Sequence, residues 1–222
     1  MKDKQYKQSL TPQTAAEGIN AANENAQDLL SDVELLFENG KYERATALAI
    51  LAIEEAGKPA ILRSILVEDD PKAIKKAWQN YRKHTAKNAM WIMPDLFSKG
   101  ARKLFDFEPM FKETSDHPQM LDNLKQLTFY TDAFSNCKWS LPKNVVDKEL
   151  ANKIIGIAKM FCSKEQPACT KQEMELWIKH IKPVWKKDTL LMKQALVNFY
   201  QEAELSGIYK EGSAKAMGDF AL

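Results

Sequence analysis

The sequence predicts an all-α protein, a helical bundle with additional helices at its C-terminal end. Three observations carry this expectation. Apolar residues recur at spacings of three and four through most of the chain. Eight Gly and nine Pro in 222 residues are too few for the turns of a β-rich fold. Helix caps and stops fall where that periodicity begins and ends, at Thr11-Pro12, Asn39-Gly40 and Thr170.

Residues 1–10 are polar and are expected to be flexible. The first helix starts at Thr11-Pro12, a hydroxyl cap followed by proline in the first turn. Its stripe of Ile19, Ala22, Ala26, Leu29, Leu30, Val33, Leu36 and Phe37 runs to Asn39-Gly40. A second helix begins near Tyr42. Nothing between Arg44 and Glu54 is charged, which places this helix in the middle of a bundle. Its five alanines from 45 to 56 favour helix and let neighbours approach closely. Pro59 is expected to kink or restart it before the stop at Glu-Asp-Asp-Pro71. A third helix is expected over 71–93, with Ile74, Ala77, Trp78, Tyr81, Thr85, Asn88, Ala89 and Ile92 on one face. The stretch 95–118 lacks a clear period and reads as a short helix plus a long connection. A less regular helical segment covers 119–134, and 147–161 is a well-patterned helix. Thr170 and Glu173 have capping-box spacing and open the last pair of helices, 171–182 and 184–205. One domain over 11–205 is expected, with 206–222 a frayed tail.

Lys and Arg total 32 against 30 Asp and Glu, a net charge of +2. That is not the footprint of bulk-charge nucleic-acid binding, although a local basic patch stays open. Cys137, Cys162 and Cys169 are odd in number and form no CxxC pair, which fits a reducing cytoplasm. The polar N-terminus does not read as a secretory signal. The longest apolar run, 45–53, is far shorter than a membrane span, so no membrane association is expected. HExxH, Walker A, GxGxxG, GxSxG and ExxH are all missing, so no metal and no cofactor is expected.

Two groups of residues are able to carry chemistry. Glu54, Glu55 and Lys58 end the apolar second helix. Glu54 lies four residues before Lys58, the favourable order for a helical ion pair. Glu54 also shares a row with Ile50, Ile61 and Ile65, and Glu55 one with Leu48, Leu51 and Leu62, so at least one carboxylate must point inward and find a partner. On the next helix Arg82, His84 and Lys87 fall within six residues, with His84 on the same face as Tyr81 and Asn88. An acid beside a histidine sets its tautomer and raises its basicity, and a nearby Lys or Arg holds a phosphate. The same residues also suit a salt bridge that closes one end of the bundle. Glu54, Glu55, Lys58, Arg82, His84 and Lys87 are thus one candidate cluster, expected to meet where the second helix faces the third.

The run Leu36-Phe37-x-x-Gly40-x-Tyr42-x-x-Ala45-x-x-Leu48 through Glu54-Glu55-x-Gly57-Lys58 resembles the first block of AbiV-type proteins, a branch of the HEPN superfamily. His84 and Lys87 resemble the H-x-x-K that follows it. Leu124-Lys125, Phe129-Tyr130-x-Asp132, Trp139 and Pro142 are similar to the later K…YxD…P block. The resemblance spans about residues 15–160 and implies a HEPN-like all-α bundle that halts phage propagation. It also implies a homodimer, and a phage or host protein or RNA as partner. Many HEPN proteins are ribonucleases with four to six residues between an Arg and the His that follows it. None of Arg44, Arg63, Arg82 and Arg102 has a His at that spacing. The expected function is therefore an interaction or sensing module of abortive infection, with a metal-independent endoribonuclease as the alternative.

Overall fold

Thr11 opens the first helix, α1 (Pro12–Glu38): its hydroxyl accepts the Thr14 amide, while the Thr14 hydroxyl accepts the Thr11 amide. The computed structural model describes residues 5–111, 115–134, 137–162 and 167–222. After Gly40, whose φ of +70° suits glycine, the chain enters α2 (Tyr42–Val67). Ala45, Ala47, Ala49 and Ala52 are fully buried, and α2 touches α1 along its length. α2 runs through Pro59 without the restart that was one of the two expected outcomes. Tertiary packing on both flanks outweighs the one backbone bond that proline removes.

The expected third helix is broken. α3 (Pro71–Arg82) starts on an Asp70 cap, and Lys83 then turns extended (φ −85°, ψ 126°). A short α4 (His84–Lys87), a 3-10 turn over Asn88–Ile92 and α5 (Met93–Ser98) follow. A second 3-10 segment covers Leu104–Phe111, in the stretch read as a connection. Residues 112–114 of that stretch, like residues 1–4, lie outside the described residues. The polar segment expected to be loose is tied down over its described part: the Trp78 indole donates to the Gln8 carbonyl, and Arg82 donates to the Tyr6 carbonyl.

The segment 119–134 resolves into α6 (His117–Phe129) and β1 (Asp132–Phe134). β1 pairs antiparallel with β2 (Lys138–Ser140), with Ala133 opposite Trp139. Among the described residues this hairpin is the strand pairing that the all-α reading did not anticipate. α7 (Lys148–Phe161) is capped by Asp147. α8 (Lys171–Ile181) and α9 (Thr189–Leu205) follow, the latter starting five residues later than expected, because a 3-10 turn over Lys182–Val184 is followed by a further turn and the helix opens only at the Asp188 cap. Thr170 caps α8, but the Glu173 carboxylate leaves the expected box and pairs with Arg63. The tail expected to fray contains α10 (Ser213–Ala221), whose Phe220 packs against Phe107 and whose Ala221 is buried.

Two apolar cores share α1 and α2. One packs Ala26, Leu30 and Val33 with Ile50, Ile53, Leu121, Ile154 and Ala158. The other packs Ala15, Ala16 and Ile19 with Leu62, Ile65, Trp78 and Met174. Ile19, Ile50, Ile53 and Ile65 are among the largest side chains fully withdrawn from water, each contributing roughly 1.5–3 kcal/mol. Among the described residues no helix is long and apolar enough to cross a membrane.

Candidate functional site

Glu54 stands on α2 between these cores, with its side chain only 2% exposed. Its two oxygens face different helices. Oε2 lies 2.6 Å from His84 Nδ1 on α4, and Oε1 accepts from Lys125 Nζ on α6 at 2.6 Å. Lys87 Nζ, on α4, stands 3.7 Å from Oε2. Lys125 also lies 2.8 Å from Asp122 Oδ1, off the hydrogen-bonding direction. Lys125 and Lys87 are as deeply buried as Glu54, at 4% and 6%. Two carboxylates and two ammonium groups thus neutralise one another inside the protein, the condition under which buried charge is tolerated. Burial pushes the Lys87 ammonium below its ordinary pKa, the nearby Lys58 and Lys125 charges add to that, and Glu54 opposes it.

His84 differs from the rest of the group. Its side chain is 53% exposed while Nδ1 is held by the buried carboxylate. A carboxylate on Nδ1 favours the tautomer with its proton there, which leaves Nε2 as an acceptor facing outward chemistry. The arrangement fixes the orientation and tautomer of an imidazole, as a general base requires.

Gly57 explains how α4 comes so near. A Cβ on Gly57 would lie 2.4 Å from the Lys87 carbonyl oxygen, closer than atoms pack. The missing side chain therefore lets the backbone of α4 lie against α2, and that contact sets His84 and Lys87 over Glu54. The glycine of the Glu54-Glu55-x-Gly57-Lys58 run is a packing requirement of the cluster.

The sequence-predicted cluster assembles in part. Glu54, His84 and Lys87 meet. Glu55 and Lys58 do not join them: they pair with each other at 2.6 Å, one turn apart, and the Lys58 ammonium sits over the Tyr81 ring. The expected Glu54–Lys58 pair is absent because Glu54 turns inward to α4 and α6. Arg82 also stays out. Its guanidinium donates to the carbonyls of Trp78 and Tyr6 and lies over the Trp78 ring. The extended Lys83 separates it from His84 by a change of direction. Lys125 is the partner that residue spacing alone did not find. It lies 71 positions from Glu54, and its signal was the lysine of the later block. Tyr130 and Asp132 of that block lie on the exposed approach to the hairpin.

Glu54, His84 and Asp122 each offer one ligand atom within 4.8 Å of the others. Lys125 Nζ already stands between the two carboxylates, so a divalent ion there would face two buried ammonium groups. The donor set fits the lysine better than a metal. Cys137, Cys162 and Cys169 are free. Burial pushes the thiol of Cys162 up to about 11, and burial with the Glu173 charge pushes that of Cys169 up to about 12, which holds both protonated.

The fold and this buried acid–lysine centre define a HEPN-like all-α bundle. The family model of AbiV proteins, within the HEPN superfamily, matches residues 14–163, which cover α1 to α7. The chain belongs to that family, and the family points to abortive infection, the defence of a cell population against phage. No match was found among curated proteins or among solved structures.

Proposed function

We propose that the protein acts in phage defence as a cytoplasmic interaction or sensing module that recognises a phage or host protein, with the His84 rim as a contact surface. The observation that supports this most is the internal closure of the charge cluster. Glu54 is taken up by Lys125 and His84, and Arg82 is anchored elsewhere by two backbone carbonyls. Lys87 and Lys125, cations that could assist cleavage of a phosphodiester beside the base, are therefore buried, and Arg82 is held elsewhere.

A second reading, a metal-independent endoribonuclease, is favoured by one specific feature: the carboxylate-backed imidazole with a half-exposed ring. Phage-plaque counts, RNA cleavage in the presence of a chelator, and thermal unfolding of wild type and His84→Ala separate the two. The interaction reading expects no RNA cleavage by either protein, and loss of protection in a variant that still folds. Cleavage by the wild type that His84→Ala abolishes at unchanged stability would replace it with the nuclease.

A homodimer is part of the proposal, since two-fold pairing is the commonest assembly of small proteins. Light scattering at micromolar concentration should give about twice the 25.3 kDa chain mass. A monomer alone would remove this part.

A further inference from the structure

α3 and the residue after it carry Lys72, Lys75, Lys76, Arg82 and Lys83 and no acid, in a chain whose net charge is only +2. Some surface lysines elsewhere pair with carboxylates, Lys99 with Asp95, Lys153 with Glu149, Lys159 with Glu34 and Lys182 with Asp69, while others, such as Lys143 and Lys148, stand apart without converging on a cleft. Among the described residues, Lys7, Lys75 and Lys83 have no such partner.

These three and Arg82 line one cleft with Gln5 and Gln79, enclosing about 300 Å³. That is the lower end of the range for small-molecule sites. The cleft is built rather than incidental. The N-terminal segment forms one wall and is pinned to α3 by Trp78 to the Gln8 carbonyl at 2.8 Å and Arg82 to the Tyr6 carbonyl at 2.6 Å. The Tyr6 ring stands edge-on to Trp78. The same carbonyl bonds fix the Arg82 guanidinium, which has five N–H donors and spends only part of them there. Four like charges around one cleft repel one another, and an anion with several oxygens removes that repulsion.

We propose that this cleft is a binding site for clustered phosphates, taking a ligand that presents at least two of them. Such phosphates come either from a free polyphosphate or from a nucleic-acid strand. The cleft is lined by residues other than Glu54, His84 and Lys87, with Lys83 next to His84 in sequence, and its test needs no phage.

The purified full chain is titrated with inorganic tripolyphosphate and, separately, with a short single-stranded RNA, at low salt. Lys75→Glu/Lys83→Glu is compared with wild type. Lys143→Glu/Lys148→Glu makes the same change of net charge at exposed positions elsewhere. The proposal expects at least one probe to bind. It expects the cleft variant to weaken that binding by roughly tenfold or more, and the control to leave it near wild type. Tripolyphosphate binding identifies a free polyphosphate. Binding of RNA alone identifies a strand, with a log–log salt slope no steeper than about −3 for four phosphate contacts. Three results would overturn the proposal: neither probe binds, the cleft variant binds like wild type, or the control loses as much as the cleft variant.

Discussion

Gly57 shows how one missing side chain organises the charge cluster. Its Cα position faces the Lys87 carbonyl, with no room for a methyl group. Gly57→Ala would ordinarily favour a helix by about 1 kcal/mol. Here the added carbon meets backbone, which cannot rotate away, so α4 has to move off α2. The expected outcome is a loss of about 1–3 kcal/mol, the usual cost of overpacking a closed site. His84 should also separate from Glu54. Chemical denaturation measures the first effect, and the His84 titration followed by NMR measures the second. A more stable variant with an unchanged His84 titration would show that α4 does not depend on this contact. Residue patterning made the inward turn of Glu54 legible, because the acid lies on the row of Ile50, Ile61 and Ile65. It did not reveal Lys125 as the partner, since periodicity assigns a residue to a face and not to a neighbour 71 positions away.

The helices with capping residues and a clean stripe were legible: α1, α2 and α7 begin within a residue or so of their expected starts. α3 and α4 were not. Their stripe continues through Lys83 without proline or glycine, so nothing local announces a break. The break has tertiary causes on both sides. Arg82 is held to the Tyr6 carbonyl, His84 and Lys87 are drawn to Glu54, and one straight helix does not satisfy both. The hairpin escaped for a different reason. Its strands are three residues each, too short to show a period of two. α10 escaped because its support is remote: Phe220 finds Phe107 more than a hundred positions away, and Lys103 donates to the Asp219 carbonyl.

At the scale of the whole molecule, the family match ends near α7, while the C-terminal helices add a second anchor to α2. That anchor is Glu173. Its Oε1 accepts from Arg63 at 2.7 Å and from the Tyr209 hydroxyl at 2.9 Å, and its side chain is 5% exposed. The Trp177 indole donates to the Arg63 carbonyl, and Met174 enters the core of Ile19 and Ile65. One carboxylate on α8 therefore joins α2 to the turn after α9. Glu173→Gln keeps the shape and an acceptor for Tyr209 but removes the charge beside Arg63. Breaking a fully buried pair costs about 3–5 kcal/mol. Arg63 is a quarter exposed, and its charge recovers some solvation, which reduces the expected loss to about 1–3 kcal/mol. Glu202→Gln, which removes the surface carboxylate shared by Lys179 and His180, should leave the unfolding transition close to that of wild type. If α8 to α10 fold as one unit with the bundle, tryptophan fluorescence and far-ultraviolet circular dichroism will show a single unfolding transition that shifts together in the Glu173 variant. Two separate transitions, with only one moved, would instead mean that the C-terminal helices are a dispensable attachment to the AbiV bundle.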